Sequence, residues 1–94
     1  MTFGEIIRNQ RKSKGLLLRQ AAAYLEVDTA FVSKIEHNKR DASREQVVKL
    51  AEFLQTPSEY LLTIWLADKI LGTINNERYG EDALKLAIQT LKER

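Results

Sequence analysis

The sequence predicts an all-α protein, with five helices followed by one additional C-terminal helix. Three observations support this prediction. Apolar residues recur at helical spacing, helix caps punctuate the chain at short intervals, and no stretch shows the sustained alternation of a strand. The chain has 94 residues, of which 44% are hydrophobic and 30% charged, a balance typical of one small globular unit.

Cysteine is absent and histidine occurs once, which excludes several kinds of site. The chain cannot form disulfides, a thiolate metal site, a cysteine nucleophile or a zinc site of several histidines. Its apolar runs are shorter than the roughly 20 residues of a membrane helix. Residues 1–5 lack the basic-then-apolar pattern of a signal peptide, and the chain has no phosphate loop. We therefore expect a cytoplasmic protein that is not an enzyme and that needs no metal, cofactor or membrane.

The first helix is predicted by its two ends. Thr2 and Glu5 fit a capping box, in which the threonine hydroxyl accepts a free N–H and the glutamate reaches back. The helix is predicted to end near Lys14, because Gly15 suits the position just beyond a helix.

The segment 18–38 contains two short apolar helical patterns joined by a tight connection. Asp28 is a good N-cap for the second helix, and the small side chain of Ala22 would let the two helices cross closely. This arrangement predicts a helix-turn-helix, although the spacing alone also fits a plain helical hairpin. The core-facing residues are Leu18, Ala21, Ala22, Leu25, Val32 and Ile35.

Two more capping boxes predict the next helices. The box at 43–46 precedes an apolar stripe of helical spacing. The box at 56–59 has the only proline of the chain at its first helical position and opens a helix that continues to about Leu71. Gly80 is predicted to separate this helix from a last one over about 81–93.

Charge is distributed unevenly along the chain. Residues 1–44 hold nine Lys or Arg against five acids, a net +4, and residues 45–94 hold six against eight, a net −2. The first half could face a polyanion and the second a protein partner, or the charges could be an uninformative scatter.

Four short stretches carry a family resemblance, and they are Lys14-Gly15-Leu16, Arg19-Gln20-Ala21-Ala22, Leu25-Glu26-Val27-Asp28 and residues 31–40. The most specific piece is Val32-Ser33-Lys34-Ile35-Glu36, followed by Asn38-Lys39-Arg40. Over about residues 3–62 the chain resembles the Cro/cI-type helix-turn-helix, also called the XRE family. Within that family it is also similar to small regulators associated with restriction–modification loci.

The resemblance implies a five-helix, repressor-like domain over residues 1–62 that binds double-stranded DNA, and it leaves residues 63–94 as a helical extension. The recognition helix would be about Thr29–His37, with its solvent side in the major groove. Thr29, Ala30 and Lys34 match the base-reading positions. Lys34 can donate to guanine, and the methyl groups of Thr29 and Ala30 can meet apolar base edges.

The resemblance implies further contacts around the recognition helix. Ser33 would lie next to bases or phosphates, and the basic residues after the helix would follow the DNA backbone. Phe31 either meets a thymine methyl or packs against the first motif helix, and His37 either donates to a phosphate or is solvated. The predicted DNA-binding set is Arg19, Thr29, Ala30, Phe31, Ser33, Lys34, His37, Asn38, Lys39, Arg40 and Arg44.

An ion pair is also implied, between Arg11 on the first helix and Glu36 on the recognition helix. In the alternative, Arg11 is a free cation that binds phosphate. We favour the pair, because an unpaired Glu36 near DNA would repel phosphate.

The sequence departs from the family pattern in three places. Glu26 replaces the turn glycine, so it requires either a left-handed backbone at some strain or a differently built turn. Leu17 and Leu18 replace the usual cap and glutamine, and Arg19 is the candidate substitute for the lost contact. Asn38 replaces a glycine after the recognition helix and tolerates left-handed geometry.

The extension contains a stretch, 61–67, that is too apolar for a helix with one wet face. Because helix-turn-helix proteins often bind two half-sites as two-fold dimers, we expect a homodimer. In the alternative, the last helix folds back and buries everything within one subunit. The predicted dimerisation residues are Leu62, Trp65, Leu66, Ile70, Leu84, Ile88 and Leu91.

The predicted function is sequence-specific DNA binding in transcription regulation, as a repressor of Cro/cI type at a palindromic or pseudopalindromic operator. The alternative is the antitoxin of a toxin–antitoxin pair, which uses the same motif and adds a toxin-binding surface.

Overall fold

The computed structural model describes residues 1–94 as six α-helices without strands. The fold is therefore all-α with an additional C-terminal helix, as the sequence predicts. The helices are α1 (Phe3–Ser13), α2 (Leu18–Leu25), α3 (Thr29–Glu36), α4 (Arg44–Leu54), α5 (Ser58–Ile74) and α6 (Gly80–Lys92).

Local side-chain caps fix the starts of three helices. Thr2 Oγ1 accepts the Glu5 N–H at 3.2 Å and Asp28 Oδ1 accepts the Phe31 N–H at 2.8 Å. Ser43 and Gln46 exchange both bonds of a capping box, at 2.9 and 3.2 Å. These caps confirm the predicted starts of α1, α3 and α4, although at α1 only the threonine half of the box forms.

The predicted capping box at 56–59 is wrong. Pro57 occupies the N-cap position, one residue outside α5, and no side chain caps the helix. The hydroxyl of Thr56 instead donates to Gln10 Oε1 on α1. A tertiary partner has replaced the local one.

Gly80 is the first residue of α6 rather than a separator between helices. The break lies at residues 75–79, where Asn76 has a left-handed backbone with φ 67°. A Cβ at position 80 would lie 2.7 Å from the Ile74 carbonyl oxygen, so only glycine lets α6 start this close to the end of α5.

The core lies among α1 to α4 and the first half of α5. Its fully buried side chains each contribute roughly 1.5–3 kcal/mol through removal from water. A smaller cluster of Ala21, Ala22 and Val32 joins α2 to α3. The main cluster comprises Phe3, Ile7, Leu25, Ile35, Ala42, Val47, Leu50, Ala51, Leu54 and Leu61.

α6 packs only against α5, and it gives the molecule an elongated shape of 42 × 26 × 22 Å. The radius of gyration is 15.0 Å, against about 12 Å for a compact chain of this length. The last helix therefore leaves much of the extension uncovered within one subunit. None of the helices is both long and apolar enough to cross a membrane.

Candidate nucleic-acid interface

The two faces of α3 differ sharply. Val32 and Ile35 are 0% and 2% exposed, and they anchor the helix against α2 and the core. Thr29, Ala30 and Lys34 are exposed on the opposite side. The helical period thus separates an anchoring face from an outer face that carries the three predicted base-reading residues.

The turn between α2 and α3 is built on a strained residue. Glu26 ends α2 in the left-handed conformation, with φ 59° and ψ 42°. The next residue, Val27, donates its N–H back to the Ala22 carbonyl at 3.0 Å, which closes the helix end. This turn sets the angle between the two helices, and Ala22 lies at their contact with only 3% exposure.

The start of α2 lacks an ordinary cap, because Leu17 has no side-chain acceptor. Gln20 provides half of a capping box, since its Oε1 accepts the Leu17 N–H at 2.7 Å. Arg19 lies between them and is exposed. The amide oxygen of Gln20 is therefore committed to the fold, while the guanidinium of Arg19 is open to a partner.

Arg11 and Glu36 form a buried ion pair between α1 and α3. Nε donates to Oε2 at 2.7 Å and Nη2 donates to Oε1 at 3.0 Å, while Nη1 donates to the Leu16 carbonyl at 2.8 Å. The hydrogen bond to Glu36 raises the pKa of the Arg11 guanidinium above its ordinary value. Arg11 is thus a structural cation, and the end of α3 is fixed to α1.

A second feature brings α1 to the end of α3. A Cβ at Gly4 would lie 2.7 Å from the Glu36 carbonyl oxygen and 2.8 Å from Asn38 Oδ1. Asn38 itself is left-handed, with φ 61°. This close approach requires glycine at position 4, and the only signal for it in the sequence is a glycine inside an otherwise helical pattern.

Phe31 and Arg40 are stacked. The Arg40 Cζ lies 4.4 Å from the centre of the Phe31 ring, and that half-buried ring also packs against the main core. Packing against the fold is therefore observed for Phe31, and its outer side is covered by a cation. His37 is exposed at the end of α3, with Nδ1 2.8 Å from the Ser33 carbonyl, while Ser33 is half-buried.

Four basic residues on α3, in the loop after it and at the start of α4 have no acidic partner. No ion pair within the chain involves Lys34, Lys39, Arg40 or Arg44, and all four side chains are exposed. Since the ion pairs that do form lie elsewhere, these cations are free to attract a polyanion.

The predicted dimerisation residues differ in how far their own subunit buries them. Leu62 and Trp65 are half-buried against the main core, and Trp65 Nε1 donates to the Ala42 carbonyl at 2.9 Å. These two side chains are thus held by their own subunit. Leu84 is half-buried, and the exposed members are Leu66, Ile70, Ile88 and Leu91.

Asp68 makes a contact that the sequence analysis missed. Its Oδ2 accepts the Phe3 N–H at 2.7 Å, so a carboxylate of α5 caps the start of α1. Donor and acceptor are 65 positions apart in the sequence, so no local signal predicts this bond.

Comparisons with known proteins agree with this geometry. Residues 7–61 match a family model described as helix-turn-helix. The chain is 39% identical over 62 residues to the HTH-type transcriptional repressor RghR of Bacillus subtilis (strain 168). It is 36% identical over 61 residues to the uncharacterized HTH-type transcriptional regulator RghRB of the same organism. The matches cover 65% and 64% of this chain but only 46% and 44% of the relatives. No solved structure is significantly similar.

Proposed function

Because the chain belongs to the helix-turn-helix family, of the XRE type, we propose that it is a DNA-binding transcriptional regulator that recognises a specific sequence. Residues 1–62 bind the DNA in this proposal, and α3 enters the major groove. Residues 63–94 join two copies.

The observation that carries the proposal is the outer face of α3. Thr29, Ala30 and Lys34 are exposed on a helix whose opposite side is anchored by the core and by the Arg11–Glu36 ion pair. A rigid helix with short side chains and one cation at its outer face suits base reading, because hydrogen bonds need a fixed register. Free cations on either side would hold the DNA backbone.

The exposed apolar residues of α5 and α6 support a homodimer. Leu66, Ile70, Ile88 and Leu91 are 43%, 47%, 45% and 61% exposed, and α6 has no neighbour besides α5. A two-fold dimer would cover this surface and present two α3 helices to half-sites about 34–36 Å apart. The operator would then be palindromic or nearly so.

Repression is the mode of regulation we propose, following the name of the repressor RghR. The dimer would occupy an operator and exclude other proteins from it. The same apolar surface would also suit the antitoxin alternative, in which a toxin covers it. The mass of the DNA-bound complex distinguishes these two hypotheses. A repressor homodimer contains only copies of this chain, whereas the antitoxin complex also contains the toxin.

Selection of bound duplexes from a random pool tests the proposal. We expect an enriched site of two related half-sites, whose spacing gives the distance between the two α3 helices. The matched variant is Lys34→Ala, which should lose preference at one position of each half-site. A pool that shows no enrichment with the wild-type protein would refute sequence-specific binding.

A further inference from the structure

Lys69 belongs to α5, outside the residues that match the family, yet its charge lies beside the loop that follows α3. Its Nζ lies 4.6 Å from the centre of the Trp65 ring, and the Arg44 Cζ lies 5.3 Å from the same centre. One indole therefore carries a cation from α5 and a cation from the first residue of α4.

The indole is fixed to this loop by a hydrogen bond. Trp65 Nε1 donates to the carbonyl of Ala42, which is itself 4% exposed. Two residues earlier, Arg40 is stacked on Phe31. Two aromatic side chains thus hold three cations, at residues 40, 44 and 69.

These cations lack an anion within the chain. Neither Lys69 nor Arg44 forms an ion pair. Asp41 and Asp68 line the same cleft. Asp68 Oδ2 accepts the first N–H of α1, and Asp41 forms no ion pair with these cations. The charges over Trp65 cannot be farther apart than the sum of their two distances from the ring, and this sum is roughly one Debye length at 0.1 M salt. They repel one another, and a bound anion would remove that repulsion.

We propose that Lys69 and Arg44 together bind one phosphate of the DNA backbone, with Trp65 as the positioning residue. This inference rests on the proposed function and extends the DNA-contacting surface from the helix-turn-helix into α5. Lys69 and Trp65 line the cleft between α5 and the loop, which has a volume of about 640 Å³ and is also lined by Asn38 and Arg40. Arg44 is outside this lining and reaches the site over the Trp65 ring. A phosphate at its rim would connect the extension directly to the DNA.

The test compares Lys69→Ala with Lys85→Ala, which removes the same charge from α6. Lys85 is exposed and pairs only with Glu81. Binding is measured over a series of salt concentrations, on the selected site and on a random duplex. Lys69→Ala should weaken binding to both duplexes by the same factor and reduce the salt slope by about one unit for each bound subunit, hence by about two units for a bound dimer. Lys85→Ala should match the wild type. Sedimentation of both variants should show the wild-type mass, so that a change in assembly does not imitate a lost contact.

Two further measurements sharpen the assignment. Trp65→Phe keeps a ring but removes the indole N–H. The salt slope of its DNA binding should lie between the slopes of the wild type and of Lys69→Ala. Ethylation of single phosphates should reveal one position that weakens the wild type and leaves Lys69→Ala unaffected. A wild-type salt slope for Lys69→Ala, alongside a reduced slope for Lys39→Ala, would overturn this inference and leave the proposed function standing. A wild-type protein that binds both duplexes equally would instead overturn the proposed function.

Discussion

Arg11 and Glu36 are joined by two hydrogen bonds, of 2.7 and 3.0 Å, although they lie 25 residues apart on different helices. Their residues are only 7% and 2% exposed. Burying two charges costs several kcal/mol, and this pair is compensated by a bidentate geometry and by a third bond to the Leu16 carbonyl. The pair therefore fixes the orientation of α3 more than it adds net stability.

The first prediction follows from that burial. Glu36→Ala leaves the Arg11 guanidinium without its counter-charge, and we expect the free energy of unfolding to fall by about 3–5 kcal/mol. The double variant Arg11→Met with Glu36→Leu should recover much of this loss, because no charge stays buried. Urea denaturation followed by circular dichroism measures both. If the double variant were less stable than Glu36→Ala, the ion pair would have a larger net value than this argument allows.

The second prediction concerns base reading by Lys34. Lys34→Ala should weaken binding to the selected site by about 1–3 kcal/mol and relax the preference at one base position. Lys92→Ala, on the last turn of α6, removes the same charge far from α3 and serves as the control. Competition between single-base variants of the site measures the preference. A loss that is equal for all duplexes would mean that Lys34 binds phosphate only.

The third prediction separates charge from stacking in the loop after α3. Lys39→Ala should reduce the salt slope of binding by about one unit for each bound subunit, without a change in stability. Arg40→Ala should reduce the slope similarly and also destabilise the fold slightly, since it uncovers the Phe31 ring. Salt titrations and thermal unfolding on both variants provide the comparison. Arg40→Lys should restore the slope but only part of the packing.

The fourth prediction concerns strain at Glu26. Because a non-glycine residue with φ 59° is strained, Glu26→Gly should raise the free energy of unfolding by about 1 kcal/mol. Ala23→Gly, inside the same helix, should lower it by about 0.5–1 kcal/mol. Opposite signs for the two substitutions, measured by urea denaturation, would establish the effect of the turn. Equal losses would mean that the carboxylate of Glu26 makes a stabilising contribution in solution.

The features that residue patterns alone predict are those determined locally, whereas the Arg11–Glu36 pair, which spans 25 residues, was implied only by the family resemblance. The caps at Thr2, Asp28 and Ser43 bond within three residues, so their motifs suffice. The unpredicted bonds join distant segments, as in Asp68 to Phe3 or Trp65 to Ala42. Such contacts depend on helix packing, which a single sequence does not encode in any short pattern.

The same distinction applies to the candidate interface. The 3.6-residue period alone indicates that Thr29, Ala30 and Lys34 share the outer side of α3, and the structure exposes all three. The stacking of Arg40 on Phe31 and of Arg44 on Trp65 required the tertiary fold. The contacts of these residues with DNA stay predictions.

The last prediction concerns the uncovered face of α6. Leu91 is 61% exposed and lies on a shallow apolar groove together with Ala83, Leu86 and Ala87. If a second copy covers this face, Leu91→Glu would bury a charge in an apolar contact and should weaken the dimer about 30-fold or more. Gln89→Glu adds the same charge to the same helix on its opposite side, about 160° away around the axis. That control should keep the wild-type mass.

Sedimentation of both variants over a range of concentrations measures the dimer, and circular dichroism verifies that α6 stays helical. Since two half-site contacts are coupled through the dimer, Leu91→Glu should lower affinity for the full operator much more than affinity for one half-site. A Leu91→Glu protein with the wild-type dissociation constant would remove this face of α6 from the interface and leave the exposed side of α5, at Leu66 and Ile70, as the surface that joins the two copies.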